Sequence, residues 1–391
     1  MRLLTKHNTW LVNVFIYNFL RLNPFRNNRI WVFGAWMREK YDDNARFMFE
    51  YVNKYHANEI ETVWVTQREE VVQQIRALGY KAYLCNSWMG KWYELRAGVA
   101  LYTHGVDDFG LIPLVGGARI ISLWHGIGLK KIYNEKYSGL KLRIKEAMDF
   151  FFSWTYRDET IITSEFVKQL FQKTFSLRKD ARYCMTGLPR NDGLFNVDRN
   201  KVLEKLGIDN SKKVILYMPT YRMEALGKDA VKNIIKNLCD DTEFDDFLRR
   251  HNYVFIAKPH PVTPKLNIQR RDNFVVLENV EVEYNQALLG SADMLITDYS
   301  TCCIDYALLN RPILFYVPDE KDFMEKSEAI YDVYFEISRD NRCTNQQELM
   351  ERIENPFKST IETINNIFND ESTRSFGSCK RVYEFIINNV M

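Results

Sequence analysis

The sequence predicts an α/β protein made of two doubly wound, Rossmann-like halves. From Arg29 onward, short β-branched and aromatic runs alternate with longer helical stretches, as in βαβ units on a parallel sheet. A charge-rich stretch ending at Lys213 interrupts this series, and a second series follows. A length of 391 residues also favours two domains, at roughly 150 residues each. We expect the two halves to hold a ligand in a central cleft, at the carboxyl ends of their strands.

Apolar runs in the first half predict strands, and the stretches between them predict helices, such as Asp43–Tyr55 and Glu69–Leu78. The runs are rich in β-branched and aromatic residues, which favour the pleated surface of a strand. The predicted strands of this half are Ile30–Gly34, Thr62–Thr66, Lys81–Leu84, Val99–Thr103, Arg119–Trp124 and Thr160–Thr163.

The second half repeats the alternation, and residues 345–390 show helical periodicity only. The charged stretch after Asp192 predicts a linker. We therefore expect an N-terminal domain over residues 29–197 and a C-terminal domain over residues 198–391 that includes the last helices. The predicted strands here are Val214–Met218, Tyr253–Ala257, Phe274–Leu277, Met294–Thr297 and Pro312–Tyr316.

Residues 1–28 resemble a signal peptide, because Arg2 and Lys6 precede an apolar run over Leu11–Leu20. Asn13 and Asn18 interrupt that run, which is shorter than the roughly 20 residues of a membrane span. No small-residue cleavage site follows it. We expect an amphipathic, membrane-proximal segment that neither directs secretion nor crosses the membrane.

Composition excludes several classes of protein. Hydrophobic residues at 46% and charged residues at 27% are ordinary for a folded domain and argue against disorder. The 53 basic and 51 acidic residues are too balanced for a protein whose main partner is nucleic acid. The seven cysteines include no C-x-x-C pair, which predicts a reduced, cytosolic protein.

His125 stands between an apolar strand and a glycine turn. Trp124 precedes it and Gly126 follows it, and glycines allow backbone amides to approach an anion. A histidine at the end of a strand is accessible to a substrate, so His125 is a candidate general base. The alternative is a histidine that only hydrogen-bonds within the turn.

His260 occupies the corresponding place in the second half. The strand that ends at Ala257 leads into Lys258, Pro259, His260 and Pro261. Prolines fix the chain on both sides of the imidazole, and Lys258 adds a positive charge suited to a phosphate oxygen. We interpret His260 as an anion ligand, with a rigid corner in which it caps backbone groups as the alternative.

A third candidate site follows the Met294–Thr297 strand. Ser300 or Thr301 is expected to cap a helix over Cys302–Asn310, and the first amides of a helix favour anions. A diphosphate fits such a place. Asp298 is included in the site, although its alternative role is that of the cap itself.

Two further segments contribute candidate phosphate ligands. Pro219, Thr220 and Arg222 follow a predicted strand, and a guanidinium binds phosphate bidentately. Gly187 and Arg190 close the first half. A hinge without chemistry is the alternative for both segments.

Together, and in this order, these segments resemble the CDP-glycerol glycerophosphotransferase family, which builds teichoic acids and related polyol-phosphate polymers. The resemblance spans most of the chain. The matching segments are Phe33–Trp36 with Tyr41–Asn44, Trp124–Gly126 with Leu129 and Lys130, Thr163–Glu165, Thr186–Asp192, Tyr217–Arg222, Lys258–His260, and Thr297–Ser300 with Asp305.

The resemblance implies a GT-B fold, no cofactor and no obligatory metal. It implies that His125 is the base and that His260 contacts the donor phosphates. The donor phosphates and the cytidine diphosphate are expected at Arg222, Lys258, Asp298, Ser300, Thr301, Pro219, Thr220, Gly187 and Arg190. The acceptor is expected at Trp124, Gly126, Lys130, Asp43 and Asn44.

The implied partners are a CDP-glycerol or CDP-ribitol donor and a lipid-linked saccharide or polyol-phosphate acceptor. Basic and aromatic residues alternate over residues 130–157, which is typical of a segment that docks on anionic lipid. We therefore expect a peripheral protein at the cytoplasmic face of the membrane. Core packing is the alternative for this insert.

Three functions compete with transfer of glycerol phosphate. Lys326–Tyr334 lacks an arginine-glycine pair that family members commonly carry, so ribitol phosphate is also a candidate group. A nucleotide-sugar glycosyltransferase would use the same fold, since fold does not fix the transferred group. A silent scaffold of a membrane assembly is disfavoured by the two strand-end histidines.

Overall fold

The computed structural model describes residues 10–131, 137–152, 159–175, 182–222, 226–227, 229–260, 262–277, 285–326 and 329–390. These residues form two compact units. The first contains the described residues up to Gly126, those between Tyr133 and Asp192, and those from Glu371 onward. The second contains the described residues of Ile127–Ile132 and Gly193–Asp370.

The first unit contains a parallel sheet of seven strands in the order β3-β2-β1-β4-β5-β6-β7. Every strand predicted for the first half is present within a few residues, and β7 is additional. The charged first residue of β7, Arg182, and its length of four residues hide it from the sequence pattern. The strands are β1 Asn27–Gly34, β2 Glu61–Thr66, β3 Ala82–Leu84, β4 Ala97–Tyr102, β5 Arg119–Ser122, β6 Glu159–Ile162 and β7 Arg182–Met185.

Helices of this unit cover the sheet. The helix predicted over Asp43–Tyr55 begins and ends at those residues, with Asp42 accepting a hydrogen bond from the Asp43 amide at its start. Its Phe49 packs edge-on against Phe33 of the sheet, with ring centroids 5.3 Å apart. The helices are α1 Trp10–Leu20, α2 Asp43–Tyr55, α3 Glu69–Ala77, α4 Trp88–Arg96, α5 Gly139–Phe152 and α6 Glu165–Phe175.

The second unit contains a parallel sheet of six strands in the order β10-β9-β8-β11-β12-β13. The predicted strands are again confirmed, and only the two-residue β13 is additional. The strands are β8 Lys213–Met218, β9 Tyr253–Ala257, β10 Phe274–Val276, β11 Met294–Thr297, β12 Ile313–Tyr316 and β13 Arg342–Cys343. The helices are α7 Asp192–Phe195, α8 Arg199–Lys205, α9 Ala230–Asp240, α10 Thr242–Arg250, α11 Asn285–Ser291, α12 Cys302–Tyr306, α13 Glu320–Lys326, α14 Val333–Ser338, α15 Gln346–Glu354 and α16 Ser359–Phe368.

The last helix, α17 (Ser378–Val390), belongs to the first unit, which differs from the predicted domain over residues 198–391. The carboxylate of Asp192 accepts hydrogen bonds from the amides of Gly377, Ser378 and Cys379 at 2.8, 2.8 and 2.9 Å. Such a cap fixes the start of the helix. Apolar residues of α17, including Ile386, are buried in the core of the first sheet.

Candidate active site

Both sheets reverse their strand order once, between β1 and β4 and between β8 and β11. In doubly wound sheets, the loops at the carboxyl ends of the strands beside such a reversal form the ligand site. His125 follows β5, which neighbours β4, and His260 follows β9, which neighbours β8. In each unit the candidate histidine therefore lies at the carboxyl end of a strand one place from the reversal.

His125 follows β5 in the first unit. Its Nδ1 lies 3.2 Å from the carbonyl oxygen of Thr103, and because a carbonyl only accepts, Nδ1 carries the proton in this contact. In the neutral imidazole, the lone pair that accepts a proton is then on Nε2. The ring is half-buried and lies beside the indole of Trp124, with centroids 4.1 Å apart.

The turn around His125 is tightly bonded. The side-chain amide of Asn44 donates to the carbonyl oxygens of Leu123 and Trp124 at 3.0 and 2.8 Å. Trp124 has a positive φ of 49° and Gly126 has a φ of 143°, so the chain bends sharply on either side of the histidine. Asn44 and Trp124, both predicted on the acceptor side, thus set the backbone path of His125.

Arg190 reaches the same turn. Its Nη1 donates to the carbonyl oxygen of His125 at 2.7 Å and to Asp43 at 3.0 Å, and its backbone amide donates to Asn44 Oδ1 at 3.0 Å. Gly187 precedes it with a φ of 77°, where an added Cβ would lie 2.6 Å from Ser378 Oγ. Gly187 and Arg190, which were predicted as ligands of the donor phosphates, lie in the first unit, where the sequence analysis placed them.

The Asp43 carboxyl is fully buried beside Arg190, and burial raises its pKa to about 6 against an ordinary value of 3.8. The folded state therefore holds this proton more firmly than the unfolded state. Protonation of Asp43 therefore adds to the free energy of unfolding below pH 4, and this contribution is lost as the pH rises towards 6. At roughly 1.4 kcal/mol for each pH unit between the two pKa values, the loss amounts to about 3 kcal/mol.

We therefore expect Asp43→Asn to remove this part of the pH dependence of stability. Urea unfolding between pH 4 and 7 measures it, with the exposed Asp246→Asn as the control. Over this pH range, the difference in free energy of unfolding between wild type and Asp43→Asn should change by about 2–3 kcal/mol, and that of the control should stay constant. A constant difference for Asp43→Asn would contradict the assignment of a raised pKa.

His260 follows β9 in the second unit and is exposed, with Pro259 buried before it. Pro261 lies outside the described residues. The amide of Val262 donates to His260 Nδ1 at 3.3 Å, and the amide of Thr263 donates to its carbonyl oxygen at 2.8 Å. Since Nδ1 accepts here, the proton of the neutral ring is on Nε2. Lys258, half-buried, is fixed through its amide to the carbonyl oxygen of Tyr217 at 2.8 Å.

Arg222 is buried in an ion network, with its side chain 1% exposed. Nε and Nη2 donate to Asp319 at 2.7 and 3.0 Å, and Nη1 donates to Asp298 and to the Thr220 carbonyl, both at 2.7 Å. Burial opposes the charge, but the two carboxylates outweigh it and raise the pKa of Arg222 above its ordinary value.

Asp298 connects the loops that follow β8 and β11. Its carboxylate accepts hydrogen bonds from the amides of Thr220 and Tyr299 as well as from Arg222. Pro219 immediately precedes this bonded segment. The predicted role of Arg222 was a direct phosphate clamp, but its three nitrogens are engaged by protein. The geometry indicates that Arg222 and Asp298 hold the loops of the site together.

The predicted helix cap takes a different form. Helix α12 covers only Cys302–Tyr306, and the chain then turns into a short 3-10 helix that ends before Asn310. Thr301 occupies the cap position without a side-chain hydrogen bond to the helix. Ser300 Oγ lies 3.5 Å from the Cys302 amide, at the outer limit of a hydrogen bond. Both hydroxyl-bearing residues are half-buried.

Lys130, predicted on the acceptor side, belongs to the second unit. It forms an antiparallel bridge with Ile330, and its Nζ lies 5.4 Å from the centre of the Phe323 ring. That ring also faces the guanidinium of Arg222 at 4.8 Å. Lys130 thus adds its positive charge to the same unit as His260.

Two residues of these sites were missed by the sequence analysis. His104 directly follows the strand predicted over Val99–Thr103, and its ring stacks on that of His125. Asp319 follows β12 and binds Arg222. The position after a strand was an available signal for both residues. Over the described ranges, no group of three or more histidine, cysteine, aspartate or glutamate side chains could hold a metal ion.

Known proteins resemble this chain over nearly its whole length. The sequence is 28% identical over 357 residues to a teichoic acid poly(glycerol phosphate) polymerase of Bacillus spizizenii, covering 84% of each chain. It is 29% identical over 358 residues to a poly(ribitol-phosphate) polymerase of the same organism, covering 85% of this chain and 52% of that one.

The fold has a solved counterpart. The wall teichoic acid polymerase TagF superposes with a TM-score of 0.72 at 18% identity, over 98% of this chain and 96% of that structure. The family described as CDP-glycerol:poly(glycerophosphate) glycerophosphotransferase matches residues 15–387. With two parallel-sheet units of the GT-B type and a match of this extent, the chain belongs to the CDP-glycerol:poly(glycerophosphate) glycerophosphotransferase family.

Proposed function

We propose that this protein transfers a polyol phosphate, foremost glycerol phosphate, from a CDP-polyol to a lipid-linked saccharide or polyol-phosphate acceptor and releases CMP. The observation that carries the proposal is the different Nδ1 contact that each of its two strand-end histidines makes. His125 donates through Nδ1 to a carbonyl, whereas His260 accepts an amide at Nδ1. One ring is therefore prepared to take a proton and the other to donate a hydrogen bond.

In this reaction, the acceptor hydroxyl attacks the β-phosphorus of the donor. A new bond forms between the acceptor oxygen and that phosphorus, and the bond from the phosphorus to the bridging oxygen breaks. The hydroxyl proton goes to Nε2 of His125, a role suited to a group whose ordinary pKa is near neutrality. CMP leaves with the bridging oxygen and the electron pair of the broken bond.

His260 and its neighbours stabilise the negative charge on the phosphates. Nε2–H of His260 donates to a phosphate oxygen, and the ammonium of Lys258 adds a positive charge beside it. The Thr220 hydroxyl is buried, and it finds no hydrogen-bond partner among the described residues. An oxygen of the ligand would supply the missing hydrogen-bond partner, since buried polar groups are normally hydrogen-bonded. Ser300 and Thr301 remain proposed ligands of the diphosphate.

The choice of donor is tested with purified protein and a lipid-linked glycerol-phosphate acceptor. CDP-glycerol, CDP-ribitol and a panel of nucleotide sugars are supplied separately, and the released nucleotide is identified by chromatography. We expect CMP from CDP-glycerol at a rate at least ten times that from CDP-ribitol. Faster release from CDP-ribitol would reassign the polyol. Nucleoside diphosphate from a sugar donor would indicate a glycosyltransferase, and no release from any donor would favour a scaffold.

Location at the cytoplasmic membrane face is also part of the proposal. Among the described helices, none is long and apolar enough to cross a membrane. Helix α5 exposes Leu140 and Ile144, at 73% and 51%, next to the exposed cations Lys141 and Arg143. Apolar side chains beside basic ones favour an anionic lipid surface. Residues 132–136 and 153–157 of the predicted insert over 130–157 lie outside the described residues.

The first unit exposes a second apolar surface. Phe15 and Phe19 of α1 are 72% and 64% exposed, and Trp88 of α4 is 80% exposed. Phe19, Phe25 and Trp92 help to line a groove of about 460 Å³. Aromatic side chains of this kind are enriched where proteins meet the lipid headgroups.

We expect the double variant Leu140→Ser/Ile144→Ser to bind vesicles of phosphatidylglycerol several-fold less than wild type in a flotation assay, because it loses apolar contact with the lipid. Phe376→Ser, which changes another exposed apolar residue, is the matched control and should float like wild type. Equal binding by all three proteins would contradict docking through α5.

A further inference from the structure

The imidazole of His104 lies flat against that of His125. Their ring centroids are 4.0 Å apart and their planes differ by 5°. His104 also contacts the indole of Trp36, with centroids 4.8 Å apart, and the same indole lies 6.3 Å from the His125 ring. Two histidines in parallel contact require a specific local structure, since each ring otherwise rotates about its terminal torsion.

Three hydrogen bonds fix the segment that carries His104. The buried carboxylate of Asp108 accepts the amides of Thr103 and His104, both at 2.9 Å, and the amide of Met37 at 2.6 Å. His104 Nδ1 lies 2.8 Å from the Thr103 hydroxyl. The ring is therefore fixed through its backbone and through one of its nitrogens.

His104 is neutral near pH 7. Burial lowers its pKa to about 4, with a smaller contribution from the charge of Lys40. A neutral ring does not repel the imidazolium that forms when His125 takes up a proton. By contrast, a second cationic histidine at this distance would oppose proton uptake.

We infer that His104 is a positioning residue for His125, and that its ring face holds the His125 imidazole in the orientation that presents Nε2 to the acceptor hydroxyl. The inference rests on the proposed role of His125 as the base. The Trp124 indole contacts the same imidazole at 4.1 Å, so the ring lies between two aromatic surfaces. Restricting the base in this way lowers the entropy lost on reaching the reactive geometry.

The test compares His104→Ala with His104→Phe, which preserves a flat ring face but has no nitrogen. We expect His104→Ala to lower kcat by roughly 10- to 100-fold, as misplacement of a reacting group does, and to leave the KM for CDP-glycerol within about two-fold. His104→Phe should stay within about three-fold of wild-type kcat. His56→Ala is the matched control, because His56 stacks on Tyr383 at 3.6 Å in the same unit without contact to His125.

A second readout does not depend on turnover. In ¹⁵N-histidine-labelled protein, the His125 signals, assigned by their loss in His125→Ala, should show a single Nδ1–H tautomer in wild type and in His104→Phe. His104→Ala should show averaged tautomers. Circular dichroism checks that each variant is folded. If His104→Ala does not fold, the test rests on the kcat of His104→Phe and on the His125 tautomer in that variant.

Two results would overturn the inference while His125→Ala remains inactive. One is a wild-type kcat with an unchanged tautomer in folded His104→Ala. The other is a His104→Phe variant as slow as His104→Ala, which would assign the effect to a ring nitrogen. Normal turnover by His125→Ala would instead show that His125 is not the base, and the inference about His104 would then lose its premise.

Discussion

Replacing His125 by alanine is expected to lower kcat by roughly 10²- to 10⁴-fold, the range of a positioned general base. The dissociation constant for CDP-glycerol should change by less than three-fold, because the donor phosphates are assigned to the second unit. CMP release measures the rate, and calorimetric titration with CDP-glycerol measures binding. Near-normal turnover in the variant would contradict the assignment of the base.

His260→Ala is the matched variant, and its effect should fall on the donor. It removes the Nε2–H donor from the phosphates, so the dissociation constant should rise by roughly ten-fold or more, since a hydrogen bond to a charged group contributes about 1.5–3 kcal/mol. His260→Gln retains an N–H donor and should recover part of the loss. If both histidine variants changed binding and rate equally, the two rings would not have separate roles.

Replacing Arg222 by methionine should lower the free energy of unfolding by about 3–5 kcal/mol, which is typical when one partner of a buried ion pair is removed. Asp298 would keep its charge in a fully buried position, and Asp319 would lose its bidentate partner. Chemical denaturation measures the change. Arg250→Ala, at an exposed position of α10, is the control and should cost no more than about 0.5 kcal/mol.

The network predicts a specific non-additivity. Arg222→Met combined with Asp298→Asn should be less destabilised than the sum of the two single variants, because neither charge is then left without the other. A strictly additive double variant would indicate that the two side chains do not stabilise each other. Loss of donor binding is expected alongside the loss of stability, since Arg222 connects the loops after β8, β11 and β12.

The strands were predictable because their runs are buried on both faces and therefore nearly continuous in apolar residues. Tyr253–Ala257 and Met294–Thr297 begin and end at the predicted residues. Strands β7 and β13 were not predictable, since Arg182 and Arg342 begin them and each run is very short. Their pairing with a neighbouring strand, not their own composition, makes them strands.

Long-range contacts account for the largest differences from prediction. Nothing near Ser378 in the sequence indicates that Asp192 caps its helix, a contact between residues 186 positions apart. Likewise, Arg190 and Asp43 are 147 positions apart, yet they form an ion pair beside His125. Positions at strand ends predicted which segments carry polar chemistry, but not which of those segments meet.

Some residues of the candidate site can be identified from the local sequence, whereas the roles of others depend on contacts with distant residues. His125 and His260 were identifiable because each lies three residues beyond the end of an apolar strand. His104 has a similar placement, but only the stacking distance indicates a link to His125. The guanidinium of Arg222 illustrates the opposite case, since the residue type suggested a phosphate ligand and the neighbouring carboxylates of Asp298 and Asp319 occupy it.

Helix α17 also constrains the order in which a growing chain acquires its structure. The first sheet is translated before residue 186, but its core includes Val382, Tyr383 and Ile386 from the far end of the chain. Most of the second unit is continuous, over Gly193–Asp370, and emerges from the ribosome before that helix. The first unit is thus left with exposed apolar surface during synthesis, and the second unit is expected to complete its core first.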